Sequence, residues 1–242
     1  MSTDETTTTG QPSATDETVD SVQLLRLFAT PVIIVPCPFA ETLDAALGEL
    51  VSRAVDDTPQ QVVGKSETFD DFDSWDHPAA TALTTWVLGM ATQYVEVCLG
   101  QTLQSAWNAT HGLRGAAFNE REARREAPRP SIAVGRSWAS VYDRADAHER
   151  HFHPNTPVAA IYYAAFPAGS RAVVVHDPRS NLDYFNPGVT FADEGIGVEL
   201  PVRQGSLVMF PGWLQHSVPV HEVDQRRIAV SYNLVYRETT QA

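Results

Sequence analysis

The sequence predicts an α+β fold with a double-stranded β-helix core, the jelly-roll or cupin-like architecture, and N-terminal helices packed on one sheet. Two amphipathic helical patterns lie in the first hundred residues. From Ile132 to Tyr236 the chain instead consists of short β-rich segments separated by turn sequences such as Asn-Pro-Gly and Arg-Gln-Gly. Many short strands at regular turn spacing are typical of a sandwich or barrel, and helices followed by strands indicate one continuous core. The candidate strands are residues 131–143, 149–155, 158–167, 171–177, 197–200, 205–211, 217–221 and 227–236.

The N-terminal part is predicted to begin with a tail and an extended segment. Residues 1–21 are rich in Thr, Asp and Glu and have almost nothing to bury, so we expect them to be disordered. A single domain over residues 22–242 should follow, with a helical part at 22–130 and the jelly-roll core at 131–237. Within the helical part, Leu24–Val35 is predicted to be extended.

Two helices are predicted after this segment. The second covers Pro78–Leu99, because His77-Pro78 favours a start there and Gly100 favours an end. The first covers AETLDAALGELVSRAVDD, because apolar residues recur there at spacings of three and four. They are Phe39, directly before this segment, and Leu43, Leu47, Leu50, Val51 and Val55 within it.

The segment from Trp107 to Pro130 gives the weakest pattern. Its run NEREARREAPRP holds four arginines interspersed with glutamates, and such a mixture of charges favours a solvated helix or a surface loop. A mobile lid over a site is the alternative, and the role of residues 116–130 stays open.

Composition and charge exclude several classes of protein. The 242 residues carry 17 Lys and Arg against 30 Asp and Glu, a formal charge of −13, and an acidic surface repels the phosphates of a nucleic acid. No stretch approaches the roughly 20 apolar residues that cross a bilayer, and the first twenty residues lack the features of a secretory signal. Two cysteines, Cys37 and Cys98, are too few for a disulfide scaffold. We therefore expect a cytoplasmic protein with neither a nucleic-acid nor a membrane partner.

Histidines carry the first functional signal. His151 and His153 are separated by one residue, and on a strand that spacing places both imidazoles on the same face. Neutral imidazoles suit a divalent transition metal such as Fe, Zn, Cu or Ni. His148 is a further candidate ligand, but its odd spacing from His151 predicts the opposite face.

A second cluster follows in the C-terminal strands. His216 lies after a strand that ends at Phe210-Pro211, and Arg227 opens the apolar strand RIAVSYN. A guanidinium on an apolar strand is costly unless it is paired. A bound carboxylate is a natural partner for it.

Together these segments resemble a bacterial family of 2-oxoglutarate/Fe(II)-dependent oxygenases, over roughly Leu24 to Tyr236 with residues 116–130 unmatched. The resemblance rests on a Trp-containing strand and five further blocks. The blocks are His151-Phe-His153-Pro, Tyr162-Tyr163, Asp177-Pro-Arg179, Phe210-Pro-Gly-Trp-Leu-Gln-His216 and Arg227 followed six residues later by Asn233.

The resemblance implies Fe(II) as cofactor and 2-oxoglutarate as co-substrate. It implies oxidation, with hydroxylation as the main expectation, of a small-molecule or amino-acid-like substrate by O2, with 2-oxoglutarate converted to succinate and CO2. By the same resemblance, the catalytic metal ligands are His151, His153 and His216. Arg227 and Tyr163 match residues that bind the far carboxylate of 2-oxoglutarate, and Arg179 is assigned to the cofactor site with them.

One position departs from the family pattern. His153 stands where most such oxygenases have Asp or Glu, which gives three neutral ligands in place of the usual two-His, one-carboxylate set. Either Asp177 or Glu149 is an alternative source of the missing carboxylate.

Two other functions stay open from the sequence. The first is a three-His metallo-cupin dioxygenase that does not use 2-oxoglutarate and does not need Arg227. The second is a non-catalytic jelly-roll binding protein with histidines in its core. Desaturation, halogenation and cyclisation stay open beside hydroxylation. A homodimer is common for such barrels, but no feature of this sequence indicates it.

Overall fold

The computed structural model describes residues 29–57, 61–62, 64–68, 71–112, 129–179 and 197–239. The predicted tail and residues 113–128 of the arginine-rich segment lie outside these ranges. Within them the chain forms three α-helices, one short 3-10 helix at Phe72–Ser74 and eleven β-strands. Every helix within the described ranges is too short or too polar to span a membrane.

The helices are α1 (Ala40–Asp57), α2 (Pro78–Leu99) and α3 (Leu103–Gly112). The first two confirm the predicted bounds. The Nδ1 atom of His77 accepts a hydrogen bond from the backbone N–H of Ala79 at 3.1 Å, and Pro78 needs no such partner, so the start of α2 is capped. Gly100 ends α2 in the left-handed conformation with φ of 64°. No pattern in the sequence predicted the start of α3.

The strands form two antiparallel sheets. The larger sheet has the order β1-β9-β6-β11-β4-β3-β2, and the smaller sheet has the order β5-β10-β7-β8. The strands are β1 (Ile33–Pro36), β2 (Gln61–Val62), β3 (Lys65–Glu67), β4 (Arg129–Tyr142), β5 (His148–His151), β6 (Val158–Ala165), β7 (Val174–His176), β8 (Gly197–Glu199), β9 (Ser206–Phe210), β10 (His216–Val218) and β11 (Arg227–Thr239).

The two faces of the larger sheet serve different purposes. On β11, alternate residues pack into the core against the helices, and these are Ile228, Val230, Tyr232 and Leu234. Two contacts join this sheet to α2. The hydroxyl oxygens of Thr84 and Tyr232 lie 3.2 Å apart, and the rings of Trp86 and Tyr162 pack edge to face with centroids 6.2 Å apart. The opposite face looks toward the smaller sheet. The predicted jelly-roll core with helices on one sheet is thereby confirmed.

The hairpin of β2 and β3 was not predicted, and it extends the larger sheet beyond β4. Gly64 at its turn has φ of +84°, and a Cβ atom there would lie 2.5 Å from the backbone oxygen of Ala147. The carbonyl of Gly64 also accepts the N–H of Ala147 at 2.8 Å. A glycine is therefore required for the hairpin to sit against the start of β5.

Candidate metal centre

Three imidazoles converge between the two sheets. His151 ends β5 and His216 begins β10, and the two residues are partners in the antiparallel register. The ligand atoms of His151, His153 and His216 all lie within 4.8 Å of one another. The three predicted metal-binding side chains are thus brought together from distant parts of the chain.

The local reason for the convergence differs from the prediction. His153 does not share a strand with His151, because β5 ends at His151. The loop beyond β5 instead carries His153 inward, and its backbone N–H donates to the carbonyl of Gly212 at 2.8 Å. His151 and His153 do reach one site, as their short spacing predicts. They do so because one lies at the end of a strand and the other in the loop that follows it, and not because they share a strand face.

Each imidazole is held through its Nδ1 atom by a carbonyl oxygen. The partner is the backbone of Glu149 for His151 at 2.7 Å and the backbone of Leu214 for His216 at 2.9 Å. For His153 it is the side-chain oxygen of Asn233. A carbonyl oxygen only accepts, so each Nδ1 carries the proton and each Nε2 keeps a free lone pair. This is the second-sphere arrangement that orients histidine ligands of a divalent metal, and the set fits such an ion.

The environment keeps these rings uncharged. Burial lowers the pKa of His151 and of His153. Burial, followed by repulsion from His151, lowers the pKa of His216 to about 3. Neutral imidazole is the metal-binding form, so the centre needs no deprotonation at neutral pH.

No carboxylate joins the three imidazoles among the residues that the structure describes. Glu149 is exposed and contributes only its backbone carbonyl. Asp177 forms an ion pair with Arg179, and that pair lies outside the lining of the pocket around the histidines. Neither proposed source of a carboxylate is therefore placed at the centre, and Arg179 is not brought to it either.

His148 faces the centre, so its predicted orientation is wrong. Its ring stacks on that of His151 with centroids 3.9 Å apart. The cause is an irregularity in the pairing of β5 with β10. Between the pairs His216–His151 and Val218–His148, one residue of β10 lies opposite two residues of β5. A bulge of this kind turns a side chain to the other face.

The other end of the pocket holds a buried cation. Arg227 is 1% exposed, and its Nη1 donates to the carbonyl of Arg171 at 2.6 Å. Its guanidinium carbon lies 3.8 Å from the ring centroid of Tyr142, and its Nε has no hydrogen-bond partner. The Tyr163 hydroxyl, which accepts the N–H of Val173 at 3.2 Å, lines the same pocket and keeps its own proton free to donate. An unpaired buried donor next to these groups fits a bound carboxylate.

Sequence reasoning missed the roles of two residues at the site. Asn233 orients His153, and the spacing of Arg227 and Asn233 in the family block was a signal for it. Lys65 lines the pocket from the unpredicted strand β3, and it is the only lysine in the sequence. A single lysine in a chain with sixteen arginines was a signal that this position has a specific role.

Comparison with known proteins agrees with this geometry. Residues 136–233 match the family model described as "Putative 2OG-Fe(II) oxygenase". No curated protein matches the sequence.

Solved structures share the fold at low sequence identity. The carbocyclase SnoK and the epimerase SnoN, both non-heme α-ketoglutarate-dependent enzymes of nogalamycin biosynthesis, are 15% and 12% identical, with TM-scores of 0.54 and 0.53. Each alignment covers 86% of this chain, with 79% of SnoK and 78% of SnoN. A 2OG-Fe(II) oxygenase family oxidoreductase from Burkholderia pseudomallei is 12% identical with a TM-score of 0.50, over 84% of this chain and 83% of that one. Residues 136–233 thus resemble the 2OG-Fe(II) oxygenase family, and the chain shares the fold of solved oxygenases of this kind.

Proposed function

We propose that this enzyme oxidises a small molecule at an iron held by His151, His153 and His216, with Arg227 and Tyr163 binding the far carboxylate of 2-oxoglutarate. The observation that carries the proposal is one pocket lined both by three imidazoles with free Nε2 atoms and by a buried guanidinium whose Nε has no hydrogen-bond partner. A 2-oxo acid with a second carboxylate is complementary to both ends.

The three imidazoles have a holding and orienting role. Their carbonyl partners fix each ring, so the Nε2 atoms need no rearrangement to accept a dication. Bound Fe(II) would supply O2 activation coupled to the conversion of 2-oxoglutarate to succinate and CO2. Because three neutral ligands leave the ion's charge uncompensated, an anionic co-substrate should bind more tightly here than at a site that already holds a carboxylate.

Arg227 has a different role, which is to select an anion. Burial lowers the pKa of Arg227, yet an arginine remains protonated in proteins. The residue therefore holds a positive charge at a place where water does not compensate it. A carboxylate against this guanidinium, with the Tyr163 hydroxyl as a second donor, would satisfy the free Nε and orient the co-substrate toward the metal.

The walls between the two ends keep the reaction away from water. Apolar side chains of both sheets line the pocket, including Ile161 and Ala229 from the larger sheet and Val218 from the smaller one. Trp138 stacks on the metal-binding ring of His153 with centroids 5.7 Å apart. This arrangement would exclude bulk water from the space next to the iron.

We infer hydroxylation of a small, amino-acid-like molecule as the outcome, as the family resemblance implies. The similar structures are described as a carbocyclase and an epimerase. The product must therefore be identified by its mass and by its bonding, since ring closure and epimerisation add no oxygen.

The three-His ligand set supports a second candidate, a metallo-cupin dioxygenase that does not use 2-oxoglutarate. His153 in place of a carboxylate is the observation that favours it. This candidate gives no role to the unpaired Arg227 and is therefore the weaker one.

Anaerobic titration separates the two candidates. Fe(II)-loaded protein should develop a metal-to-ligand charge-transfer absorption band on addition of 2-oxoglutarate. On admission of O2, succinate should form. Arg227→Met should weaken the band at low 2-oxoglutarate, because its anchor is lost, while Fe(II) still binds. Iron binding without any such band would overturn the proposal and favour the second candidate.

A further inference from the structure

The only lysine of the chain lies inside the pocket. Lys65 is 4% exposed, although lysine is among the residues least often buried. The short hairpin of β2 and β3 places it there, and the contact of Gly64 with Ala147 fixes that hairpin against the start of β5. Lys65 also lies outside residues 136–233, so the matched oxygenase domain does not supply it.

Lys65 and Arg227 flank the same aromatic ring. The Nζ of Lys65 lies 5.7 Å from the ring centroid of Tyr142, and the guanidinium carbon of Arg227 lies 3.8 Å from it. Tyr142 and Arg227 are partners in the register of β4 and β11, and β3 pairs with β4 on its other side. Two buried cations of the pocket lining therefore lie next to the ring of Tyr142.

One carboxylate lies next to these cations. Glu67 forms an ion pair with Lys65, and Ser140 joins the pair by accepting from Nζ at 3.4 Å and donating to Oε1 of Glu67 at 3.2 Å. Arg227 has no carboxylate partner among the described residues. Two cations and one carboxylate leave one excess positive charge in a buried place, and a single incoming carboxylate would neutralise it.

We propose that Lys65 is a second cation for the far carboxylate of 2-oxoglutarate, and that Glu67 sets the net charge which that carboxylate meets. This inference rests on the proposed function, since it concerns the same co-substrate. Arg227 would bind the carboxylate directly from β11, while Lys65 attracts it from the side of β3. Glu67 competes with the ligand for Lys65 and so weakens the binding.

Substitution of both members of the ion pair tests this assignment. The dissociation constant of 2-oxoglutarate is measured by anaerobic titration of the Fe(II) holoenzyme. Lys65→Met should raise it by about 10-fold or more, as expected for loss of one charge-assisted contact. Glu67→Gln should lower it by about 3-fold or more, because an opposing charge is removed. A purely structural ion pair predicts that both substitutions weaken binding, and that result would overturn the inference.

A shorter ligand provides a matched control. 2-Oxobutyrate keeps the 2-oxo carboxylate but lacks the far one, so wild type and Lys65→Met should bind it with equal affinity. Lys65→Arg retains the charge and should recover at least part of the lost 2-oxoglutarate affinity. Equal weakening of both ligands by Lys65→Met would contradict a role at the far carboxylate.

A measurement on the wild type covers the case in which the variants fail to fold. Because the chain has one lysine, protein labelled with ε-15N-lysine gives a single side-chain ammonium signal. With Zn(II) as a diamagnetic metal, this signal should shift on addition of 2-oxoglutarate and stay in place with 2-oxobutyrate. Identical responses to both ligands would overturn the inference. If the wild type binds no 2-oxoglutarate at all, the proposed function itself fails.

Discussion

The imidazole of His153 donates its Nδ1 proton to the side-chain oxygen of Asn233, which lies eighty positions later in the chain. Asn233 shares β11 with Arg227. The two residues are six positions apart, and an even spacing on a strand keeps two side chains on one face. One strand thus orients His153, a proposed metal ligand, and also carries Arg227, the proposed anion-binding group.

Asn233→Ala should weaken metal binding about 10- to 100-fold, the range typical for loss of a residue that orients a histidine ligand. The ring of His153 would lose its fixed orientation and tautomer. The measurement is a competitive titration of Fe(II) or Zn(II) against a chelator. Asn233→Asp, which keeps an acceptor at the same place, should retain the affinity. Unchanged metal binding in the alanine variant would show that the Gly212 contact alone positions His153.

Arg227→Met should separate stability from ligand binding. We expect the dissociation constant of 2-oxoglutarate to rise about 100-fold, which is the loss of roughly 3 kcal/mol from a charge-assisted contact. The free energy of unfolding of the metal-free protein should not fall, because the variant replaces an uncompensated buried charge by an apolar side chain of similar length. Urea denaturation without metal measures the second quantity. A large loss of stability would mean that Arg227 is chiefly structural.

Asp44 gives the protein a predictable pH dependence. Burial raises the pKa of this carboxyl above its ordinary value of 3.8, against the opposing hydrogen bonds from Tyr162 and Gln204. The folded state then holds the proton more tightly than the unfolded chain. The free energy of unfolding therefore falls as pH rises from about 4 through the folded-state pKa of Asp44.

Asp44→Asn removes this contribution and keeps an acceptor for the Tyr162 hydroxyl, which lies 2.5 Å from Oδ1 of Asp44. The stability advantage of the variant over wild type should therefore increase from pH 4 to pH 7 in urea denaturation. Asp57→Asn, at an exposed position of the same helix, is the control for the chemical change from Asp to Asn. A constant difference between Asp44→Asn and wild type across this range would contradict the prediction.

Gly212 is predicted to be essential for the loop that carries His153. A Cβ atom at Gly212 would lie 2.2 Å from the backbone oxygen of Thr156, so Gly212→Ala must displace backbone. We expect a loss of about 1–3 kcal/mol in the free energy of unfolding together with weaker metal binding.

Gly48→Ala is the matched control for that substitution. Apart from its chain neighbours and the backbone of the helix itself, no described atom lies within 4 Å of a Cβ placed at Gly48 in α1. This variant should gain about 0.5–1 kcal/mol of stability and bind metal as the wild type does. Equal metal binding by Gly212→Ala and Gly48→Ala would contradict a role of Gly212 in positioning His153.

The parts of the fold that follow local rules were predictable from the sequence. The bounds of α1 and α2 follow from apolar spacing and from the cap residues around Pro78 and Gly100. The β-rich half follows from its turn residues. The hairpin of β2 and β3 escaped prediction because its strands are two and three residues long and gain their pairing from β4. α3 escaped because it lies in a segment with no apolar pattern.

The site was predictable as a set of residues more than as a geometry. The spacing of His151, His153 and His216, together with Arg227, identified the parts of the pocket. The bulge that turns His148 inward depends on pairing between β5 and β10, and no local pattern encodes it. The same holds for Arg179, whose ion pair with Asp177 lies outside the pocket lining.

The most direct test of the central claim is anomalous X-ray diffraction at the iron edge from anaerobic crystals grown with Fe(II) and 2-oxoglutarate. We predict one iron bound by the Nε2 atoms of His151, His153 and His216, with the far carboxylate of 2-oxoglutarate in hydrogen-bond contact with Arg227. An iron bound elsewhere, or a co-substrate that leaves the Arg227 guanidinium without a partner, would contradict the account.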